Sequence, residues 1–449
     1  MKNNETNSLL KNFAKYTAFN VCGMMALSFY ILVDTFFISL AMGADGLAAL
    51  NFAIPVFSFV IGAGLMLGIG GATKFSILRS QDDATSANFA FSNTMFITVC
   101  VAMVFVLLGM FFSSNITELL RAPESIFEMT RTYLQIVLLF APVFILNSVM
   151  LCFVRNDGAP GLAMVAMVTG SFANIILDYI FIIWLRLGMF GAALVTGISA
   201  GISLFIVSSF VFRKKNNFHL VWRRVSGFVI RQIVSTGAPS LITELSSGIV
   251  IIMFNIIILG FAGSTGVAAY GIIANISLIV IAIYTGIAQG VQPLISSCYG
   301  FGNFDGVKRL LRYSVILLAT LSTSIYAFVF IWNTQVVNVF NYEQNILLQS
   351  IAETGIRIYF IGCLFAGLNI VISIFFTSTE KPRPAHIISV LRGFAIIIPM
   401  AFILSELWGI TGVWSAFPVT EFIVTILGVT LWLRRRLDVN YCAGNNYTV

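Results

Sequence analysis

Charged residues are scarce in this chain. Asp, Glu, Lys and Arg together make up 10% of its 449 residues, whereas soluble domains carry about 25%. Hydrophobic residues make up 59% of the sequence, and the mean hydropathy is +0.97. So few charges cannot cover the surface of a soluble protein of this size. The composition therefore excludes a soluble fold and indicates a membrane protein.

Histidine and cysteine are also few, and their positions exclude several kinds of site. The two histidines, His219 and His386, lie in predicted loops, and the six cysteines are scattered. The sequence therefore offers no disulfide framework, no His/Cys zinc cluster and no plausible Ser-His pair. There is also no room for a soluble nucleotide-binding domain. We expect no enzymatic activity and no cofactor, and transport driven by a gradient.

Long apolar runs separated by polar breaks predict an all-α polytopic membrane protein, because one bilayer crossing takes about 20 apolar residues. The runs predict twelve transmembrane helices. They cover about 15–42, 50–79, 88–113, 127–156, 160–186, 190–213, 231–259, 268–298, 308–333, 350–378, 385–405 and 409–434.

The basic residues are distributed as orientation signals. If the N-terminus is cytoplasmic, all Lys and Arg residues except Arg121, Arg131, Arg186 and Arg357 fall on the cytoplasmic side. Cytoplasmic loops of membrane proteins carry such an excess. We therefore predict a monomeric, multi-pass protein of the cell membrane with both termini cytoplasmic. The lipid bilayer is its expected surrounding, and no nucleic-acid partner is expected despite the net charge of +7.

The two halves of the chain repeat each other. Gly43 and Gly70 recur as Gly263 and Gly290 at an offset of 220, and Asn147 recurs as Asn369 at an offset of 222. Six spans is an even number, so the halves are parallel repeats of the kind found in secondary transporters. The predicted domains are an N-terminal half (1–215), a basic cytoplasmic linker (216–230) and a C-terminal half with a short tail (231–449).

Acids within apolar spans are candidates for function, since an ionisable group in hydrocarbon is costly unless it faces a cavity or a partner. Asp34 lies in the first helix with Tyr30 one turn earlier, and Asp178 lies in the fifth helix with Asn174 one turn earlier. The two pairs are expected to form one polar cluster. The alternative is a purely structural hydrogen-bond cluster between helices.

The repeat sharpens this hypothesis because the polar set is confined to one half. The positions Asp34, Asn174, Asp178 and Thr196 map onto Phe254, Ile396, Met400 and Phe417. All four counterparts are apolar. We therefore expect a polar N-terminal site opposite an apolar, aromatic C-terminal wall.

Other charged residues are open to two interpretations. Glu244, in the seventh helix, is expected to bind a cation or substrate, or else to bond Ser246 and Ser247. For Glu421 a structural hydrogen-bonding role is expected. Arg155 and Asp157 predict an ion pair at the boundary of the fourth helix.

Several motifs occur in order along the chain: SFYILVDTFFI followed by GADGLAALN, RNDGAPGLAM leading to NIILDYIFI, GMFGAALVTGIS, GAPSLITELSSG, GVAAYGI and GITGVW. Together they resemble the multidrug and toxic compound extrusion (MATE) family, in particular its MepA-like bacterial branch. The resemblance implies a V-shaped pair of six-helix lobes and an exporter of amphipathic cationic drugs, driven by inward flow of H⁺ or Na⁺. It also implies that Asp34, Asn174, Asp178 and Thr196 form the cation or proton site. Asp34 and Asp178 would be metal ligands only if the coupling ion is Na⁺.

The resemblance and the repeat together suggest the residues that contact drug. They are Tyr30, Glu244, Phe254, Asn369 and Met400. Two departures from the family pattern stand out: the tenth helix offers only Asn369 where relatives have an aspartate, and the first helix has Phe19 where many relatives have proline. The alternative function is a lipid-linked saccharide flippase of the same superfamily, which would be expected to need more basic residues near the membrane midplane.

Overall fold

The computed structural model describes residues 2–222, 224–341 and 344–444, with side chains for residues 7–222, 224–341 and 344–434. Of the basic residues predicted to be cytoplasmic, the side chains of Lys2, Arg223, Arg435 and Arg436 lie outside this description. The described chain consists of helices joined by short loops. The α-helices are α1 (Lys2–Ser80), α2 (Ala84–Phe111), α3 (Ser113–Leu119), α4 (Phe127–Leu139), α5 (Ala141–Asn156), α6 (Pro160–Asp178), α7 (Gly188–Phe212), α8 (Gly227–Gly300), α9 (Phe304–Ile331), α10 (Asn333–Phe340), α11 (Ile346–Tyr359), α12 (Cys363–Ser378), α13 (Pro382–Val390), α14 (Ile397–Trp408) and α15 (Ile410–Gly444).

The helices α1 and α8 are each far longer than a bilayer is thick, and each is interrupted once. The interruptions are at Gly43 (φ 61°) and Gly263 (φ 59°). Positive φ is readily adopted only by glycine, so the chain can bend there between two spans. Each long helix therefore supplies two of the predicted membrane crossings.

Nine helical stretches of the described chain are long and apolar enough to cross a membrane; two of them, Ile346–Ser378 and Pro382–Trp408, each combine two of the helices given above. The helices α4 and α5 together form one further span, which is bent by 50°. Counting α1 and α8 twice gives the twelve crossings predicted from the sequence. The bend between α4 and α5 lies at Phe140, just before Pro142. The all-α polytopic fold is thus confirmed.

The backbone itself repeats. Of the twelve described residues with positive φ, ten form pairs separated by 220 to 223 positions, and Arg186 and Lys214 have no counterpart. The pairs are Gly43 with Gly263, Asp82 with Gly302, Arg121 with Gln344, Gly158 with Glu380, and Gly188 with Gly409. Each pair lies in an equivalent turn between helices. The parallel repeat seen in the sequence is therefore present in the turns as well as in the spans.

Packing divides the chain into two compact units. Unit 1 contains the chain up to Gly248 with Gly286–Leu310 and Thr377–Glu380, and unit 2 contains Ile249–Thr285, Leu311–Phe376 and the chain from Lys381 onward. The buried core of unit 1 is a continuous apolar cluster of α1, α2 and α4 to α7. The predicted division at residues 215 and 231 rests on the repeat and stays a prediction.

Within unit 1, α1 and α8 contact each other through glycines at two places that the repeat relates. A Cβ atom placed on Gly237 would lie 1.8 Å from the Met66 carbonyl oxygen, and one on Gly70 would lie 2.1 Å from that of Ile233. In the equivalent contact, a Cβ atom on Gly290 would lie 2.8 Å from the Cα of Thr17. Helices approach this closely only where side chains are absent.

A buried polar network lies in the same unit. Arg155 donates from Nη1 to Gln289 Oε1 (2.9 Å), and Gln292 donates to Thr73 Oγ1 (2.8 Å). The predicted Arg155–Asp157 ion pair is wrong, because the Asp157 carboxylate instead accepts two hydrogen bonds from Asn217 (2.6 and 2.9 Å). Residues two positions apart on a helix do not face each other.

Candidate cation and drug site

Three helices of unit 1 bring a polar cluster together. Asp34 projects from α1, Asp178 is the last residue of α6, and Thr196 lies in α7. The backbone after Asp178 changes to a π-helix over Tyr179–Trp184. Such segments are uncommon and often mark functional positions. The predicted N-terminal set is thus gathered at one place in the fold.

The two carboxyl groups are buried and near each other. Asp34 is 8% exposed and Asp178 is fully buried. The carboxyl groups are close enough to share a hydrogen bond when one of them carries a proton. Tyr30 lies within electrostatic range of both acids. The arrangement places two potential negative charges side by side in an apolar interior.

Neutral groups complete the surroundings of the acids. Asn174 donates from Nδ2 to Ser199 Oγ (3.3 Å), and Ser199 donates to the Thr196 carbonyl oxygen (3.0 Å). Thr196 Oγ1 donates to the carbonyl oxygen of Ala192 (2.9 Å). The hydroxyl groups of Ser199 and Thr196 therefore donate to backbone carbonyl oxygens and not to the carboxylates of Asp34 and Asp178.

Several oxygens of the cluster accept no hydrogen bond from any described group. They are Asp34 Oδ1, both carboxylate oxygens of Asp178 and Asn174 Oδ1. None of the four salt bridges between described residues involves Asp34 or Asp178. Buried polar atoms are nearly always hydrogen-bonded, so this set has unused capacity for a proton or a cation.

Two members of the cluster were missed from the sequence. Tyr133 in α4 is buried within electrostatic range of both acids and within hydrogen-bonding reach of Thr196. Ser199 bonds Asn174 as described above. Ser199 follows Thr196 by three residues and so shares its helix face, a signal that the sequence did contain. Tyr133 gave no comparable signal, because its neighbours in the cluster come from other helices.

At the equivalent place in unit 2 the polar set is replaced by stacked rings. Phe254, the counterpart of Asp34, is fully buried and stacks on Tyr270 at 5.4 Å between ring centroids. Phe417, the counterpart of Thr196, stacks on Tyr359 at 4.4 Å. Met400, the counterpart of Asp178, is half-buried. The structure thus places apolar side chains at these three repeat positions.

Glu244 lies in the first part of α8 within unit 1. Glu244 packs beside α1, because a Cβ atom placed on Gly62 would lie 3.1 Å from the Cβ of Glu244. The neighbouring serines do not bond its carboxylate. Ser246 donates to the Thr243 carbonyl oxygen and Ser247 to that of Glu244, each at 2.9 Å.

Asn369 belongs to a different cluster, in unit 2. It donates to the buried Glu421 carboxylate (2.7 Å) and accepts from Thr425 (3.0 Å). Glu421 also accepts from Arg392 Nε (2.5 Å) and forms a salt bridge with it. The Asn369–Thr425 bond has a counterpart at the same offset in Ser203, which donates to Asn147 (3.1 Å). The Arg392–Glu421 pair is an addition to this shared feature.

No group of three or more His, Cys, Asp or Glu residues that could hold a metal ion occurs in the described part of the chain. A Na⁺ ion at Asp34 and Asp178 would therefore be bound by only two carboxylates, with neutral oxygens as its other ligands. Asn174 Oδ1 and the Thr196 hydroxyl are the available neutral groups of this kind. Oxygen ligands of this type suit a hard cation.

The fold and this buried acid pair define the class of the protein: an α-helical, multi-pass membrane transporter built from two parallel repeats. The chain belongs to the MatE family, whose model matches residues 21–180 and 239–403. The resemblance noted in the sequence motifs is thus confirmed.

Similar proteins include two curated relatives named "Multidrug export protein MepA". The one from Staphylococcus saprophyticus is 27% identical over 447 residues, covering 97% of this chain and 96% of the relative. The one from Staphylococcus aureus (strain MSSA476) is 26% identical over 449 residues with the same coverage. The alignment therefore runs through nearly the whole of both proteins.

Solved structures of similar fold include two MATE proteins. A MATE protein in complex with MaL6 superposes with a TM-score of 0.89 at 22% identity, covering 96% of each chain. An outward-facing multidrug resistance MATE transporter of the MOP superfamily gives a TM-score of 0.88 at 23% identity, again covering 96% of each chain. At this level of identity the likeness establishes the fold.

Proposed function

We propose that this protein is a cation-coupled antiporter that exports amphipathic, mostly cationic drugs by alternating access. The relatives over the full length of the chain are named multidrug export proteins. The coupling ion is H⁺ or Na⁺, and either would enter down its gradient. The protein would lie in the cell membrane with both termini in the cytoplasm.

The observation that carries this proposal is the Asp34–Asp178 pair. Two buried carboxyl groups with unsatisfied oxygens and no basic partner cannot both remain charged without a compensating positive charge. A bound proton or Na⁺ supplies that charge, and so does a cationic drug. The same pair can therefore hold either the coupling ion or the substrate.

Antiport follows from this competition. When the cation is on Asp34 and Asp178, the site loses its attraction for a cationic drug, and the drug is released. When the cation has left, the charged pair attracts a drug, with Tyr30 and Tyr133 offering aromatic faces nearby. A positive charge over an aromatic face is attracted to it. Binding of drug and cation is thus mutually exclusive, as exchange requires.

Alternating access also needs a contact that opens. The proposed orientation puts the glycine contact between α1 and α8, and the Arg155–Gln289 bond, toward the cytoplasmic ends of the helices. Both would have to separate before a drug could enter from the cytoplasm. The network is polar and therefore can exchange its hydrogen bonds for water when it opens.

The flippase alternative receives less support. A pyrophosphate-linked substrate needs free basic groups, but Arg392 is paired with Glu421 and Arg131 with Glu128. Arg155 donates to Gln289. The charges of Arg392 and Arg131 are therefore neutralised by acids, whereas Arg155 bonds a neutral glutamine and forms no salt bridge among the described residues.

The proposal is tested by transport of a fluorescent cationic dye into or out of proteoliposomes, with pH and Na⁺ gradients imposed one at a time. We expect an inward-directed gradient of one of the two ions to drive dye export. Dye movement that is indifferent to both gradients would exclude cation-coupled antiport. Export of lipid-linked saccharide with no dye transport would instead favour the flippase.

A further inference from the structure

The segment from Arg213 to Ser226, here called the strap, joins α7 to α8 and is held in place on α2. Its backbone N–H groups are bonded by side chains of that helix. His219 donates to Asn88 Oδ1 (2.8 Å), and Val221 donates to Ser92 Oγ (2.8 Å). Its described residues, 213–222 and 224–226, contain no helix or strand. It is therefore an ordered surface segment fixed by side chains rather than a free linker.

An aromatic anchor fixes the strap further. The Phe218 ring is buried and contacts Phe91, Phe153 and Phe75, with centroids 4.7, 5.7 and 6.0 Å away. Aromatic pairs at such distances add to the burial of their surface. The Phe218 ring therefore attaches the strap to the helices of unit 1.

The strap turns large apolar side chains outward. Leu220 is 63% exposed and Trp222 is 100% exposed, and Phe228, just after the strap, is 70% exposed. A fully exposed tryptophan on an anchored segment is unfavourable in water. Tryptophan is enriched where a membrane meets water, because its ring is apolar and its N–H is polar.

Positive charge surrounds these apolar groups. Exposed basic residues of and beside the strap are Arg213, Lys214, Lys215, Arg224 and Arg231. No Asp or Glu occurs in the sequence from 213 to 231. None of these five side chains takes part in a salt bridge among the described residues. Their charge is therefore available to an external anion.

We propose that the strap is an interfacial anchor that binds anionic phospholipid headgroups of the cytoplasmic leaflet. Trp222 and Leu220 would enter the boundary between headgroups and acyl chains, and the flanking Lys and Arg side chains would bind headgroup phosphates. Basic clusters next to membrane spans attract anionic lipid in this way. The assignment to the cytoplasmic leaflet rests on the orientation given under the proposed function.

The test uses the full-length protein in nanodiscs, which expose both leaflets, so its outcome does not depend on orientation or on transport. Nanodiscs of phosphatidylcholine receive increasing phosphatidylglycerol with brominated acyl chains, which quench nearby tryptophan. The Trp222 signal is the difference between the wild type and Trp222→Phe. We expect quenching at a lower fraction of brominated phosphatidylglycerol than of brominated phosphatidylcholine, and weaker quenching at high salt.

Charge variants decide whether the strap itself recognises the lipid. In Lys214→Gln/Lys215→Gln, the apparent affinity for phosphatidylglycerol should fall roughly fivefold per residue, about 25-fold in all. The matched control is Lys11→Gln/Lys15→Gln, which removes two exposed lysines from α1 on the same predicted side. It should leave Trp222 quenching unchanged.

Two results would overturn the proposal. The first is equal quenching of Trp222 by brominated phosphatidylglycerol and brominated phosphatidylcholine, which would make the strap an ordinary lipid-facing surface. The second is an equal loss in the strap and control variants, which would indicate a general effect of net charge. Failure of either kind leaves dye transport untouched, so it is distinguishable from failure of the proposed function.

Discussion

Replacing Asp34 or Asp178 by asparagine should abolish gradient-driven export. Each substitution keeps the size of the side chain and its capacity to hydrogen-bond, but removes its negative charge and the group that accepts a proton. One carboxylate about 4 Å from a cation contributes about 4 kcal/mol at an effective dielectric constant of about 20. Losing it should therefore weaken Na⁺ binding about a thousandfold. If the ion is H⁺, the altered position can no longer be protonated.

The assay is dye export from proteoliposomes with an imposed ion gradient, at equal amounts of reconstituted protein. Asp45→Asn is the matched control, because Asp45 lies in the same helix but is exposed. The site variants should unfold at a temperature no lower than the wild type, since a buried charge without a partner has been removed. Near-normal coupled export by both Asp34→Asn and Asp178→Asn would refute the reasoning and move the site to Glu244.

Three further predictions concern other parts of the molecule. Glu244→Gln should raise the apparent KM for cationic dyes while leaving the KM for neutral substrates and the ion dependence of transport unchanged. Loss of ion stimulation with intact dye affinity would show instead that Glu244 binds the coupling ion. Glu421→Gln should lower the free energy of unfolding by up to about 3 kcal/mol, the low end of the cost of breaking a buried pair, because it leaves the half-buried Arg392 without its partner. Arg392→Met/Glu421→Leu should be nearly neutral. Thermal or denaturant unfolding measures both, and equal losses would count against a paired role. Gly237→Ala should lower the free energy of unfolding by about 1–3 kcal/mol, because the added Cβ collides with Met66. The control Gly227→Ala should not, because no atom lies within 4 Å of its added Cβ. An unchanged unfolding temperature in Gly237→Ala would contradict the close approach.

Much of the fold was predictable because the membrane imposes simple rules on sequence. Apolar runs gave the spans, and the recurrence of Gly43 as Gly263 gave the repeat that the backbone shows. The short helices Ser113–Leu119 and Asn333–Phe340 were not predicted. Segments of seven or eight residues carry too few apolar positions to show helical periodicity.

The candidate site was predictable in its acids but not in its full composition. A charge in an apolar span is conspicuous, and so Asp34 and Asp178 stood out at once. Tyr133 is not conspicuous, since tyrosine is common in apolar spans and its neighbours come from other helices. Its place in the cluster depends on how α4 packs, which one sequence without contacts does not specify.

One error came from the choice of partner for a charge. Arg155 was expected to pair with Asp157 because they are close in sequence, yet its partner Gln289 is 134 positions away. The partner of Arg392, Glu421, likewise lies 29 positions away and was not predicted. Nearness in sequence is a poor guide when helices of distant segments pack side by side.

The attachment of the strap to α2 also could not be predicted from the sequence. Its basic composition marked it as a linker, but the groups that hold it are Asn88 and Ser92 of α2, 131 and 129 positions from the residues they bond. Neutral side chains of this kind have many possible partners. Their role becomes visible only when the fold places them opposite free backbone N–H groups.

The central claim is that coupling cation and drug compete for Asp34 and Asp178, and cation release on drug binding tests it most directly. A cationic dye is added to the purified protein in weakly buffered solution, and released H⁺ and Na⁺ are measured by a pH indicator and a sodium electrode. Linkage requires a competing drug to expel the cation, so we predict release of about one cation per dye bound in the wild type. Asp34→Asn/Asp178→Asn should release none. Dye binding without cation release in the wild type, or equal release in the double variant, would contradict the account.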